Sequence, residues 1–155
     1  MTILRAGANT RKGFATAYRT GTLLITNATW TAVAMQAEQD DTDDIWESVT
    51  NPSRFLTPTW ATHAIFGCQV FFDNTDSTHQ RICTGRKNGS EFTGKGYTRR
   101  ASAHTTDESY QAWSAPTPVV GGTDYFECYA YEDSGSNLNV TATTTWGSLI
   151  VIGTN

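Results

Sequence analysis

Asp124-Tyr-Phe-Glu-Cys-Tyr-Ala-Tyr-Glu-Asp-Ser-Gly-Ser-Asn-Leu-Asn-Val-Thr141 is the stretch on which the reading of this chain turns. Tyr125, Glu127, Tyr129 and Tyr131 alternate with Phe126, Cys128 and Ala130, the period of two that sends successive side chains to opposite faces of a strand. Glu132 to Asn137 then crowds polar turn formers around Gly135, which is free to take a positive φ. Beyond the turn, Leu138 to Thr145 and Trp146 to Ile152 read as strands that return the chain to its core. The C-terminal segment is therefore expected inside a sheet.

Working outward, the same signals recur. Ser109–Ser114 reads as a strand closed by Pro116 and Pro118, and Val120-Gly121-Gly122 as a turn into the aromatic strand. Thr62–Phe72 is nearly continuous in apolar residues and is the clearest core strand, followed by a turn at Asp73–Ser77. Thr78–Lys87 is expected to return antiparallel beside it, a hairpin that places Cys68 and Cys83 nearly opposite one another. Asn88-Gly89 marks a further hairpin turn of the kind that needs positive φ. Ser90–Ala103, glycine-rich and basic, is expected as exposed loops. Upstream, Arg54–Leu56 is a short strand ended by Pro58, Thr22–Thr26 and Thr29–Ala37 are β-rich runs, and Glu38–Glu47 is an acidic loop. Residues 1–13 lack periodicity and read as a basic arm, leaving residues 14–155 as one domain. The sum is eight to ten short strands without a helix, an all-β sandwich or jelly roll.

Composition agrees. A chain of 155 residues suits one domain, and five Trp, six Tyr and seven Phe supply its core. A formal net charge of −4 gives no general attraction to polyanions, so nucleic acid is not an expected partner. No apolar run has the length of a membrane span and no secretory leader is read, so no membrane partner is expected and the chain is expected to fold in cytoplasm. Three Cys without a Cys-x-x-Cys spacing fit that compartment as thiols, against a disulfide framework or a zinc site.

Candidate chemistry is weak. His63, His79 and His104 are scattered with no metal-ligand spacing, and no G-x-S-x-G elbow marks a nucleophile. Asp40-Asp41-Thr42-Asp43-Asp44 offers oxygen ligands to Ca²⁺ but lacks the EF-hand register, so a solvated acidic loop, or one that receives a neighbour's basic arm, is the stronger reading. Arg86-Lys87 and Lys95–Arg100, interleaved with Phe92 and Tyr97, read as a solvated loop or protein contact ahead of a phosphate grip. No metal, no cofactor and no enzymatic activity are expected.

Several motifs fall in a familiar order. Leu23–Trp30 as an opening strand, Val33–Glu47 as a strand into an acidic loop, Phe55-Leu56-Thr57-Pro58 before a central strand at Ile65–Val70, Arg81 through Asn88-Gly89, and Gly122–Glu127 together resemble the complement globular-head and tumour-necrosis-factor-like jelly-roll family, in particular its branch among bacteriophage structural proteins. Ala61-Thr62-His63 departs from the family's Gly-x-Tyr, and neither a collagen-like tract nor a heptad stalk is present. The resemblance implies a homotrimer in a virion, assembled in the host cytoplasm. Tyr125, Tyr129 and Tyr131 are the expected trimer contact, because residues 124–131 are aromatic beyond what one core plainly needs; the alternative is that both faces are buried within a single sandwich. The leading expectation is a capsid decoration or cement protein, joined to the major capsid protein or other virion proteins by Arg5, Arg11 and Lys12 of the arm. The competing one is a receptor-binding tip that stacks host glycans on Trp46, Trp60 or Trp113; the absence of a stalk ranks it second.

Overall fold

The computed structural model describes residues 9–73, 79–92, 96–97, 99–102, 108–142 and 144–154, all strand, turn and loop. Fifteen strands are defined there: β1 Thr10–Tyr18, β2 Leu23–Ile25, β3 Thr31–Ala32, β4 Ala37–Asp41, β5 Arg54–Leu56, β6 Ala61–Asp73, β7 Gln80–Lys87, β8 Ser90–Glu91, β9 Gly96–Tyr97, β10 Arg99–Ser102, β11 Glu108–Ser114, β12 Thr117–Pro118, β13 Tyr125–Glu132, β14 Leu138–Val140 and β15 Trp146–Thr154. Eight of them run four residues or more, the number that periodicity makes visible.

All pairings are antiparallel and make two sheets. Sheet A runs β2-β14-β6-β15-β1-β4, with β11 and β12 on the other edge of β6 and β9 beside β11; sheet B runs β10-β7-β13-β3, with β5 on β13 and β8 on β7. Their inner faces pack as a sandwich. Phe66 of β6 lies 5.6 Å from Phe55 and 5.7 Å from Phe126, ring centroid to centroid, so one buried aromatic from sheet A joins two from sheet B. Such pairs add about 0.5–1.5 kcal/mol each beyond the area they bury. The fold class read from the sequence, an all-β jelly roll, holds.

Two local turns form as their residues dictate. Asn88 and Gly89 take φ of 52° and 75° between β7 and β8, and Gly135 takes 85° in the turn after β13.

Four local expectations are corrected. β6 and β7 are not a hairpin: β6 pairs with β11, β12, β14 and β15, β7 with β8, β10 and β13, and the chain crosses from one sheet to the other between them. An apolar run followed by a polar turn looks the same whether the chain folds back beside itself or passes across a sandwich. Cys68 and Cys83 do face each other, 3.6 Å between sulfurs, but across the core and as free thiols. Thr10–Gly13, read as the end of the basic arm, instead pair with Thr154–Val151 in β1 and β15. The acidic segment opens as a strand, β4 pairing with β1, and the basic stretch after Ser90 holds β8, β9 and β10.

Candidate functional site

The outer face of sheet A is built by register. Across β1, β15 and β6, Phe14 lies beside Ile150 and Ile150 beside Ile65; the next row runs Thr16, Ser148, Gly67 and, on β11, Trp113. A third row runs Tyr18, Trp146, Gln69 and Gln111, and at the opposite end Lys12, Ile152, His63 and Pro118 form another. Phe14, Tyr18, Trp113, Ile150 and Ile152 make up five of the eight large hydrophobic side chains left exposed among the described residues, with Phe14, Trp113 and Ile150 each 42% exposed. A concentration of that kind on one sheet face is the mark of an association surface.

Gly67 shapes the face. A side chain there would run into the indole of Trp113, which lies over this glycine and reaches Trp146 with ring centroids 5.6 Å apart. The two indoles wall a shallow groove of about 840 Å³ whose other sides include Tyr18, Glu38, Gln39 and Thr144. Nearby in the third row, the amides are tied within the chain: Gln69 Nε2 donates to the carbonyl of Thr144 at 2.6 Å, and Gln111 Nε2 donates to Gln69 Oε1.

Sheet B presents its aromatics differently. The guanidinium of Arg54 lies 4.1 Å from the Tyr125 ring centroid, and that of Arg86 lies 4.1 Å from Tyr129 and 4.8 Å from Trp30, which packs 5.0 Å from Tyr131. Glu127 lies in the middle of this ladder, accepting from Ser53 Oγ at 2.8 Å and pairing with Arg54 at 3.3 Å. Burial and the neighbouring Glu127 push the Tyr129 phenol above its ordinary value. Tyr125, Tyr129 and Tyr131 do share the expected face, yet their rings are half-buried under groups of their own chain. The aromatic surplus read from residues 124–131 is absorbed inside the protomer.

The remaining candidates separate. Trp46 is 8% exposed, its Nε1 donating to the carbonyl of Pro52 at 3.0 Å, so it is core and offers glycans nothing. Trp60 is half-buried beneath Arg11, whose guanidinium lies 4.5 Å from its ring and pairs with Asp43. Of the three tryptophans proposed as stacking platforms, Trp113 alone is open, and it pairs with Trp146, which the sequence marks only as the start of a strand. Arg11 and Lys12 lie in β1 and not on a free arm; Arg5 falls outside the described residues, as do the side chains of His104 and Lys95–Arg100.

Two carboxylates of the acidic segment bind within the chain. Asp41 accepts from the backbone N–H of Trp46 at 2.7 Å and of Ile45 at 2.8 Å, making it a turn cap, while Asp43 takes the in-chain Arg11 instead of a neighbour's arm.

This architecture is the tumour-necrosis-factor-like jelly roll, as the order of motifs indicated. Among solved structures the chain is similar to murine APRIL, at 11% identity over 91% of this chain and 99% of that one with a TM-score of 0.61, and to the Eiger TNF of S. frugiperda, at 7% identity over 94% of each with 0.55. It is also similar to the PRD1 vertex protein P5, at 11% identity over 97% of this chain and 100% of that one with a TM-score of 0.54. By sequence, no protein-family model and no curated protein matches it.

Proposed function

We propose that this chain is a non-enzymatic structural protein of a bacteriophage virion, and that it works as a homotrimer whose protomers meet through the outer face of sheet A. The observation that carries the trimer is the group of side chains exposed among the described residues, Phe14 beside Ile150 with Tyr18, Trp113 and Ile152 around them and half-buried Ile65 completing the row, on a domain whose other sheet packs its aromatics under its own arginines. The virion assignment is supported by the likeness to the PRD1 vertex protein over the full length of both chains. Within the particle the reading is capsid decoration, with the trimer bridging neighbouring major capsid proteins. Attachment runs through the basic residues at and before the start of β1, among which Lys12 stands exposed while Arg11 is already paired within the chain. Three such attachments fixed at one spacing multiply into avidity that a single exposed ion pair does not reach.

A second reading has one observation in its favour. Trp113 and Trp146, with Glu38, Gln39 and Thr144 at the rim, combine an aromatic platform with hydrogen-bonding groups, the chemistry of a host-glycan site on a receptor-binding protein. The two readings compete for the same face. Light scattering on the purified chain, paired with binding to undecorated heads and to a panel of host glycans, separates them. A trimer that binds heads supports decoration; a monomer whose tryptophan fluorescence responds to glycans replaces it with the second reading.

A further inference from the structure

Three side chains in the core have a chemistry that packing does not require. Cys68 on β6, Cys83 on β7 and Cys128 on β13 are free thiols with no solvent exposure. β6 comes from sheet A and the other two strands from sheet B, so the sulfurs meet in the gap between sheets. Cys83 is central, its Sγ 3.6 Å from that of Cys68 and 3.9 Å from that of Cys128, and all three sulfurs lie within 4.8 Å of one another. Three small apolar residues would fill this space equally well; three sulfurs converging on one point can also hold an ion.

The spacing selects the geometry. An ion bound to three sulfurs at about 2.3 Å occupies the centre of a triangle with edges of about 4.0 Å, close to the two separations seen here. Zinc in a closed structural site takes four ligands, and among the described residues no His, Asp or Glu joins the three cysteines. Soft sulfur donors otherwise select copper(I) among the common ions. Charge limits how many of the thiols can ionise. Surrounding a monovalent ion with three thiolates would leave two negative charges in an apolar core, a costly burial. If one thiol alone ionises, Cys83-SH plus Cu⁺ gives Cys83-S-Cu plus H⁺, a neutral unit that the sulfurs of Cys68 and Cys128 complete as thiol donors.

We propose that Cys68, Cys83 and Cys128 form a three-sulfur copper(I) site that ties sheet A to sheet B through the centre of the sandwich. Metal bound by the folded state and not by a preformed site in the unfolded chain stabilises the fold.

The test uses the full chain, reduced and anaerobic, with three thiols counted after denaturation. Because the site is sealed, copper(I) as its acetonitrile complex is supplied both directly and during refolding, and the protein is then passed through a desalting column. The expected result is one copper per chain by native mass spectrometry, a sulfur-to-copper charge-transfer band and a raised melting temperature, with zinc supplied in the same way not retained. Cys83→Ser is expected to lower copper affinity at least a hundredfold, and Cys128→Ser by less. Wild-type protein that is folded by circular dichroism, holds three free thiols and retains no copper overturns the site. So does equal retention of copper by a folded Cys83→Ser or Cys83→Ala variant, which would place the metal elsewhere, and equal retention of zinc overturns the copper(I) assignment.

Discussion

The two outer faces of this sandwich hold the same kinds of residue and differ in what lies over them. On sheet B, Arg54 lies over Tyr125 and Arg86 over Tyr129 and Trp30, Tyr131 packs against Trp30, and Glu127 offsets charge at the centre. On sheet A, Phe14, Trp113, Ile150 and Ile152 have no such roof among the described residues, and the long cation nearest in register there, Lys12, lies beside Ile152 at one end. An aromatic stripe is therefore not by itself an interface. What distinguishes one is apolar surface that the chain's own polar side chains fail to cover.

The sharpest way to break this comparison is to charge each face in turn. Phe14→Asp together with Ile150→Lys removes two half-exposed side chains from the proposed contact, about 3 kcal/mol between them, roughly a hundredfold in the assembly constant. Light scattering is expected to show monomer where the parent chain is trimeric, with the circular dichroism spectrum unchanged. Tyr129→Ala on sheet B is expected to leave the mass alone. Should Tyr129→Ala dissociate the assembly and the sheet A pair leave it intact, the two faces have been assigned the wrong way round.

This contrast also marks how far the amino-acid sequence can be read. Asn88-Gly89, Gly135 and the alternation of β13 are legible because a turn's φ and a strand's two faces are decided within a few residues. The partner of a strand is decided elsewhere. Nothing between Thr62 and Lys87 says that β7 lies in the opposite sheet, and that one crossing changes Cys68 and Cys83 from hairpin neighbours into groups meeting across the core. The proposed contact face did leave a trace. β15 is apolar on both alternating sets, Leu149 and Val151 inward with Ile150 and Ile152 outward, whereas a strand with one solvated face would read polar at every second position. Whether Trp46 or Trp113 reaches solvent had no such trace, because it depends on Pro52 capping one indole and Gly67 leaving room for the other.

The next effect in size belongs to the clamp at the end of sheet B. Asp124, 5% exposed, accepts from Lys87 Nζ, Asn88 Nδ2 and the backbone N–H of Val120, each at 2.7 Å. Burial opposes its charge, but these donors outweigh it and hold the carboxyl below its ordinary value. Its stabilisation is thus complete above the unfolded-chain value of about 3.9 and is lost as pH falls through the lower folded value. Asp124→Asn is expected to cost about 2 kcal/mol at neutral pH. In urea titrations the gap between the two proteins should close only below about pH 4; a gap unchanged at pH 2 would remove the carboxylate from the account.

Arg86→Ala tests the roof itself. Uncovering Trp30 and Tyr129 is expected to cost about 1–2 kcal/mol through two lost cation–π contacts, read as a lower urea midpoint with no change in oligomeric mass. If the bared rings instead draw the protein into larger assemblies, the roof has a second role of preventing association through sheet B, and the comparison between the faces becomes sharper.

The smallest effect is expected at Arg11, where the sheet A side imitates sheet B. Its guanidinium covers Trp60 and pairs with Asp43, and it is itself 43% exposed at the side chain. Solvent screens such a pair, so Arg11→Ala is expected to cost no more than about 1 kcal/mol of fold stability. For the same reason an already paired Arg11 has little charge left to offer a capsid carboxylate, whereas the exposed Lys12 has no carboxylate paired with it among the described residues. Lys12→Ala is therefore expected to weaken attachment to undecorated heads more than Arg11→Ala does, and to reduce its salt dependence more. The opposite ranking would mean that the Arg11–Asp43 pair opens on docking and that the start of β1 detaches from its sheet to reach the particle.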